Sequence, residues 1–500
     1  MAIIGSTPGE MIERATEAMR ESTFLEFRLD YLEKPLPAIA KLKEFFAENT
    51  VVTAIGTCRR EANGGKFKGT IAAELEILQK AGASGFHLVD LELQTAEAIK
   101  AADLEKLRAR GTALIISWHD FQGTKDLDGL FERIRPYDPE FIKIVTTARS
   151  LADNVVMMRF LERTGDLANM IGLCMGDQGI ISRVLSIRAG SVFTFAAATV
   201  GEETAPGQIA AHTLTDTYRI SQIDAATRVY GVAGNPIKHS LSPLMLNTAF
   251  HRESLNSVYL ALQTSKLGDL LTLVRELPLS GLSVTMPLKR EVLPHLENTD
   301  PVSAQVGACN TIVRAQDGKL YGFNTDVGAI VRPLEKRLRL DGAKILVLGA
   351  GGAARAAVFG LAGKGAEVSI LNRTPQTAQK LAREAKAKTI RRDAVAKTQF
   401  DVIVNATSVG MHGVKPHHIL EAKEINARLV FDLVYNPVDT PLLKMARQKG
   451  IAVITGVEMF VQQGARQFEI WTGKRAPEEE MLRVVVHALR QRAEAADASA

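Results

Sequence analysis

Cysteine is scarce in this 500-residue chain: Cys58, Cys174 and Cys309 are the only three. They are odd in number, far apart and never paired at metal-ligand spacing, so neither a disulfide framework nor a zinc site is indicated. The thiols read as buried residues of a protein from a reducing compartment. Charge of one sign is also missing, because 61 Lys and Arg against 56 Asp and Glu leave a formal net charge of only +5. The basic residues are scattered through helix-like segments, so no nucleic-acid partner is expected; small anionic ligands suit the balance. Nor is there a long uninterrupted apolar run. The most apolar stretch, 345–363, carries Arg355 and several glycines, and 1–10 lacks a basic region followed by an apolar one. Neither a signal peptide nor a membrane span is expected, and the predicted location is cytoplasmic.

What is present is a globular composition, 46% hydrophobic and 23% charged, too long for one core, so two or three domains are expected. Short β-rich runs recur through the first half, each followed by an amphipathic helical segment. They lie near 2–4, 24–28, 51–57, 86–91, 113–117, 141–145, 169–174 and 191–195. Eight βα repeats are the number that closes a (β/α)8 TIM barrel, which would end near residue 225. A new pattern begins at 229–232, where a strand runs into the turn Gly234-Asn235-Pro236. Further strands are expected near 257–261, 281–284 and 310–313. From Lys344 onward strands near 344–349, 367–371, 401–405, 429–433 and 452–455 alternate with helices, the rhythm of a doubly wound dinucleotide-binding Rossmann sheet. The last long helix is expected over 459–471.

Barrel enzymes build their sites at the C-terminal ends of the strands, and polar residues fall there in the first half. Glu26 and Arg28 end the second run, Arg59 follows the third, Glu92 the fourth and His119 the fifth, while Lys143 lies inside the sixth. An ammonium inside the apolar run Phe141-Ile142-Lys143-Ile144-Val145 loses hydration and is expected to give up its proton more readily, which makes an amine nucleophile. Alone, Lys143 fits a strand-end side chain reaching solvent equally well. A lone histidine is more often a hydrogen-bonded core residue than a catalyst, and Arg183 and Arg188 could simply solvate a helix. Placement of Lys143 with His119 and Glu92 on neighbouring strands favours a site.

Six motifs in order strengthen that reading: Glu-Phe-Arg-Leu-Asp at 26–30, Asp-Leu-Glu-Leu at 90–93, Ser-Trp-His-Asp-Phe at 117–121, Lys-Ile-Val at 143–145, Ile-Ser-Arg at 181–183 and Ala-Pro-Gly-Gln at 205–208. Over about 220 residues the chain resembles the type I 3-dehydroquinate dehydratases. The resemblance implies that Lys143 forms an imine with the substrate ketone, His119 shuttles protons and Glu92 orients His119. It further implies that Arg183 clamps a substrate carboxylate, while Glu26, Arg28, Arg59, Thr204 and Gln208 hold hydroxyls or close a loop over the site. Thr204 stands where many relatives have serine, which keeps a hydroxyl.

In the second half, Gly349, Ala350, Gly351, Gly352 and Ala353 follow a strand and open a helix, the context in which backbone N–H groups meet a pyrophosphate. At the end of the next strand, Asn372-Arg373-Thr374 puts arginine where an NAD enzyme would present a carboxylate, which favours the extra phosphate of NADP. Lys289, after Pro287, could be an ordinary surface lysine, and Ser240 with Ser242 before Pro243 could be only a helix cap. His239, Arg391 and Arg392 read as solvated side chains.

Motifs at 235–243, 283–289, 307–311, 322–326, 405–411 and 432–435 make about 260 residues of this half similar to the shikimate dehydrogenases. That resemblance implies a catalytic pair, Lys289 and Asp326. Ser240, Ser242 and Tyr435 would bind the substrate carboxylate, and Thr285, Asn310 and Gln463 its hydroxyls. Thr407 and Gly456 would join the cofactor side. The implied domains are a dehydratase barrel over 1–225, a substrate-binding domain over 226–327 completed by helix at 457–490, a Rossmann domain over 328–456 and a disordered tail over 491–500.

Together these readings imply a lyase and an NADP-dependent oxidoreductase acting in succession on 3-dehydroquinate and 3-dehydroshikimate to give shikimate, with no metal and no membrane or nucleic-acid partner. Two alternatives stay open: a dehydrogenase half that prefers quinate, and a non-catalytic metabolite sensor on the same scaffold. Retention of Lys143, His119, Lys289 and Asp326 speaks against the sensor. Oligomeric state is left open, and a monomer is compatible with the sequence.

Overall fold

A computed structural model describes residues 1–277, 279–412 and 419–498. The chain divides into two compact units, one built mainly on residues 1–227 and the other mainly on 228–500.

The first unit carries seven parallel strands in sequential order: β1 (Ala2–Ile3), β2 (Phe24–Arg28), β3 (Thr53–Thr57), β4 (Leu88–Glu92), β5 (Ala113–His119), β6 (Phe141–Thr147) and β7 (Met170–Met175). The run expected as an eighth strand near 191–195 is not a strand. It is irregular because the Ser191 hydroxyl satisfies local backbone, accepting from Gly172 N and donating to Phe193 O. The segment still closes the barrel, since Val192 N donates to Met170 O at one edge and Ala2 N donates to Ala196 O at the other.

Alternation with period two sets the barrel interior. Phe24, Ile55, Leu88, Ile115, Phe141 and Ile171 form an apolar floor with Phe193 and Phe195. The next inward positions, Glu26, Thr57, Asp90, Ser117 and Lys143, are polar and buried. The outward side of β2 is apolar: Phe27 meets Phe45, Phe46 and Phe86 edge to face beneath the helices.

The second unit holds two sheets. One contains β8 (Arg228–Gly234), β9 (Ser257–Gln263), β10 (Leu279–Val284), β11 (Asn298–Thr299), β12 (Thr311–Arg314) and β13 (Leu320–Phe323), ordered β11-β13-β12-β10-β8-β9. The pairs of β12 with β10 and β13 are antiparallel, so this sheet is mixed. The other sheet is parallel, with β14 (Lys344–Leu348), β15 (Glu367–Leu371), β16 (Lys388–Thr389), β17 (Phe400–Asn405), β18 (Ala427–Asp432) and β19 (Ala452–Ile454) in the order β16-β15-β14-β17-β18-β19. The reversal of order at β14 puts the switch point of the doubly wound sheet at the glycine turn. β11, β13 and β16 were not among the expected strands; each is at most four residues long and lacks a distinct apolar pattern.

Helix Gly456–Thr472 is longer than the expected 459–471. It returns to the mixed sheet, where Trp471 Nε1 donates to Ile312 O and the indole lies against Gly281; a Cβ there would come within 2.4 Å of it. Residues 491–498, expected as part of a disordered tail, instead continue helix Glu478–Ala498, because Met481, Val485 and Leu489 form an apolar stripe that buries against the Tyr230 and Phe250 core and carries the helix onward. Residues 499 and 500 lie outside the described residues. No helix among the described residues is long and apolar enough to cross a membrane.

Candidate active sites

At the C-terminal mouth of the barrel, neighbouring strands bring two lysine- and histidine-holding carboxylates together. Lys143, only 3% exposed, donates from Nζ to Asp90 Oδ2 at 2.8 Å, lies 3.8 Å from Glu26 Oε1 and sits over the Phe195 ring. Lys143 is therefore buried as expected, with two acidic neighbours beside it. Burial pushes the Asp90 carboxyl up, and the charges of Lys143 and Arg59 more than reverse this, holding it well below the ordinary carboxylate range.

Glu92 accepts from His119 N at 3.0 Å and faces His119 Nδ1 at 3.0 Å. With Nδ1–H donating to Glu92, Nε2 is left as the acceptor. Burial and then the Arg59 charge lower the His119 pKa against the opposing pull of Glu92, so the ring is neutral near pH 7. Glu92, which burial raises, is brought to a net lowering by His119 and Arg59.

Arg59, expected at the substrate, bridges the two carboxylates, with Nη2 on Asp90 and Nε on Glu92, each at 3.2 Å. Ser117 joins it: its Oγ lies 2.6 Å from Asp90 and 2.9 Å from Glu92. Arg28 forms a bidentate pair with Asp30 at 2.9 and 2.8 Å, and Glu26 accepts from Thr57 Oγ1 at 2.8 Å. Asp90 and Ser117 lay inside quoted motifs without a role; their period-two spacing from Glu92 and His119 was the signal that could have found them.

Arg183 is 2% exposed and has no carboxylate against it. Its Nη2 donates to Pro206 O at 3.0 Å and its Nε has no partner. Burial lowers this guanidinium to about 10. A buried, uncompensated fork of N–H donors is a receptor for a carboxylate. The loop over 204–208 packs beside it: Gln208 Oε1 accepts from Thr204 N and Oγ1, and Ala205 packs on Val145, Leu173 and Met175. Gly207, at φ 71°, approaches Gly176 O so closely that a Cβ would stand 2.4 Å from it.

In the second unit Lys289 Nζ donates to Asp326 Oδ2 at 2.5 Å, with the carboxylate buried and the lysine partly open. Asn310 Nδ2 donates to Asp326 Oδ1 at 2.8 Å and to Thr325 Oγ1 at 2.9 Å. Both amide hydrogens of Asn310, expected to face a substrate hydroxyl, are thus engaged by the protein. Ser240 Oγ accepts from Ser242 N at 3.2 Å and lies in hydrogen-bond contact with Tyr435, whose phenol is raised by burial. Tyr435 stacks on Phe460 at 4.2 Å. Thr285 N donates to Ala233 O, placing Thr285 against Gly234. Gln463 turns its amide back to Phe460 O of its own helix.

The glycine turn lies next to Lys289. Helix Gly352–Gly363 starts there with Gly351 as its N-cap, and a Cβ on Gly352 would stand 3.3 Å from Lys289 Cδ. Gly349, at φ 109°, has Thr407 Cγ2 2.9 Å from where its Cβ would be, and a side chain on Gly351 would meet nothing within 4 Å. Ala350 and Ala353 complete a turn narrow enough for backbone to approach a phosphate. Arg355, by contrast, is engaged by Val306 O and Glu384. Asn372 Nδ2 closes on Thr374 O, leaving Arg373 exposed at the end of β15. Asn405 ties the far side, bonding Thr407 and Asp432, a buried carboxyl raised to about 6 by desolvation. Gly456 is enclosed, with Val434 O 2.4 Å from a would-be Cβ.

Four family models match in succession: type I 3-dehydroquinase over 1–225, shikimate dehydrogenase substrate binding domain over 232–312, shikimate / quinate 5-dehydrogenase over 333–448 and shikimate 5'-dehydrogenase C-terminal domain over 456–486. A shikimate dehydrogenase (NADP(+)) of Methanosarcina acetivorans is 39% identical over 282 residues, covering 52% of this chain and 99% of that protein. A crystal structure of a shikimate dehydrogenase in complex with NADP+ is 36% identical, covers 53% of this chain and 97% of that one, and superposes with a TM-score of 0.50. The chloroplastic bifunctional 3-dehydroquinate dehydratase/shikimate dehydrogenase of Arabidopsis thaliana is 35% identical over 483 residues, 91% of this chain and 78% of that protein. With two lysine sites on one polypeptide and a relative that spans both, the chain belongs to the family of bifunctional 3-dehydroquinate dehydratase/shikimate dehydrogenases.

Proposed function

We propose that this protein catalyses two successive steps of the shikimate pathway, dehydrating 3-dehydroquinate to 3-dehydroshikimate and then reducing that ketone to shikimate with NADPH. The observation that carries it is a pair of carboxylate-held lysines in separate sites, Lys143 on Asp90 and Lys289 on Asp326. Residues 1–225 serve the first step; 226–327 with the helical segment 457–490 bind the second substrate, and 328–456 bind the cofactor.

In the first site Lys143 adds as the neutral amine through Nζ to the substrate ketone, and loss of water leaves a protonated imine. That cation withdraws electrons from the neighbouring C–H, so His119 Nε2 removes the proton and the electron pair moves to the imine nitrogen. The enamine returns its pair, the adjacent hydroxyl departs, and the His119 imidazolium protonates it as water. Hydrolysis then frees Lys143. Glu92 holds the imidazole in the required tautomer and stabilises the imidazolium between the two proton transfers. Arg183 receives the substrate carboxylate.

The glycine turn 349–353, Thr407, Gly456 and the cation of Arg373 fit NADP, which supplies a hydride when bound. Lys289 donates the proton to the carbonyl oxygen, and Asp326 holds Lys289 in place. Ser240, Ser242 and Tyr435 converge where a carboxylate can be held. No step requires a metal ion or a second chain, so each chain carries both sites. Three unpaired cysteines, all buried, support a cytoplasmic location.

The test is a coupled assay with 3-dehydroquinate and NADPH, read as loss of nicotinamide absorbance, alongside borohydride trapping. The expected result is NADPH consumption without any added enzyme and a reduced adduct on Lys143. An adduct on a different lysine, or no consumption with 3-dehydroshikimate supplied directly, overturns the respective half.

A further inference from the structure

Behind Asp326 runs a line of buried side chains in which every hydrogen bond points the same way. Tyr259 on β9 donates from its hydroxyl to Ser283 Oγ on β10 at 2.6 Å, and Ser283 donates to Gln467 Oε1 at 2.7 Å. Gln467, on helix Gly456–Thr472, donates from Nε2 to Thr311 Oγ1 at 3.0 Å and to Asn310 O at 3.1 Å. Thr311 donates to Asn310 Oδ1 at 2.9 Å, and Asn310 donates to Asp326 Oδ1 at 2.8 Å. The line ends where Asp326 accepts from Lys289.

None of Tyr259, Ser283, Gln467 or Thr311 meets Lys289 directly, and all four are buried. Each hydroxyl in the line uses its one proton toward the site, and Ser283 and Thr311 each accept from the residue behind, so the donor direction is set along the line. In a low-dielectric interior such a line polarises toward its acceptor end, here the carboxylate that holds the proton donor. Asn310 cannot rotate its amide without losing contacts at both ends: its Oδ1 also accepts from Thr325 N at 2.8 Å and its Nδ2 also donates to Thr325 Oγ1.

We infer that Gln467, with Ser283 and Tyr259 behind it, is a positioning residue for the reductase, locking the Asn310 amide so that Asp326 presents Lys289 to the carbonyl oxygen. This rests on the assignment of Lys289 and Asp326 as the proton-donating pair. The helix that carries Gln467 thereby does more than complete the mixed sheet: it sets the orientation of a carboxylate on another element.

The experiment measures steady-state reduction of 3-dehydroshikimate by NADPH for wild type, Gln467→Met, Tyr259→Phe and the double variant, with 3-dehydroquinate dehydration in the same full-length chains as an internal control of folding. Gln467→Met is expected to lower kcat about tenfold, and Tyr259→Phe about threefold, with KM for either substrate within about twofold of wild type. Because both act through one line, the double variant should fall no further than Gln467→Met alone. Multiplying losses in the double variant, a kcat within twofold of wild type for Gln467→Met, or a loss confined to KM overturns the inference. If Gln467→Met does not fold, Tyr259→Phe and Ser283→Ala carry the same kcat-against-KM comparison, and an unchanged kcat in both is fatal to it. An inactive wild type would instead overturn the underlying reading.

Discussion

Arg183 offers a prediction in which stability and function move in opposite directions. The guanidinium is buried without a carboxylate, and desolvation lowers it from its ordinary value to about 10, a gap corresponding to about 3 kcal/mol between charged and neutral forms. Its proton affinity is lower in the folded than in the unfolded state, so the cost of holding the charge is present at every pH below about 10 and fades only as pH rises through that value. Arg183→Met removes the cost and also one hydrogen bond, to Pro206 O, worth about 1 kcal/mol. The ligand-free barrel should therefore gain about 2 kcal/mol, or roughly 4–8 °C in Tm for a unit of this size. The same change deletes a charge-assisted clamp for the substrate carboxylate, so kcat/KM for dehydration should fall about 10²- to 10³-fold. Calorimetry of the ligand-free protein resolves the barrel transition, and 3-dehydroshikimate reduction reports on the other unit. A less stable barrel with unchanged kcat/KM would refute the reasoning, since Arg183 would then be an ordinary structural arginine.

Three further outcomes are expected. Dehydration should lose its acid limb only below pH 6.5, because His119 must be neutral to act as base and its pKa is lowered; Glu92→Gln removes the neighbour that raises it, so the limb in a kcat/KM profile should move to still lower pH while kcat falls about 10²-fold. Lys143→Met should abolish borohydride trapping and dehydration but leave reduction intact, and Lys289→Met should do the reverse, lowering reduction about 10²- to 10⁴-fold in separate assays of the two steps. Arg373→Ala should raise KM for NADPH about tenfold and leave KM for NADH unchanged, as measured by initial rates with each cofactor.

Local sequence alone determined a good deal of this protein. Strand Phe24–Arg28 is found where the β-rich run put it, and Glu92, His119 and Lys143 line one face because residues spaced by two along adjacent parallel strands share it. The turn at 349–353 was legible because its first residue, Gly349, has the positive φ and the close approach that glycine tolerates best. The segment 191–195 was misread as a strand because its apolar residues fit one, while a serine hydroxyl and the need to join two strand edges decided its path.

Partnership was decided only in three dimensions. Nothing local to Arg59 says that it bridges Asp90 and Glu92, nothing local to Asn310 says that both its N–H groups are engaged, and Gln467 is 157 residues from the backbone oxygen it holds. Periodicity and turn chemistry depend on neighbours in the chain, so a sequence carries them openly. The identity of a buried hydrogen-bond partner depends on which distant groups lose water together, and only the packed structure fixes that.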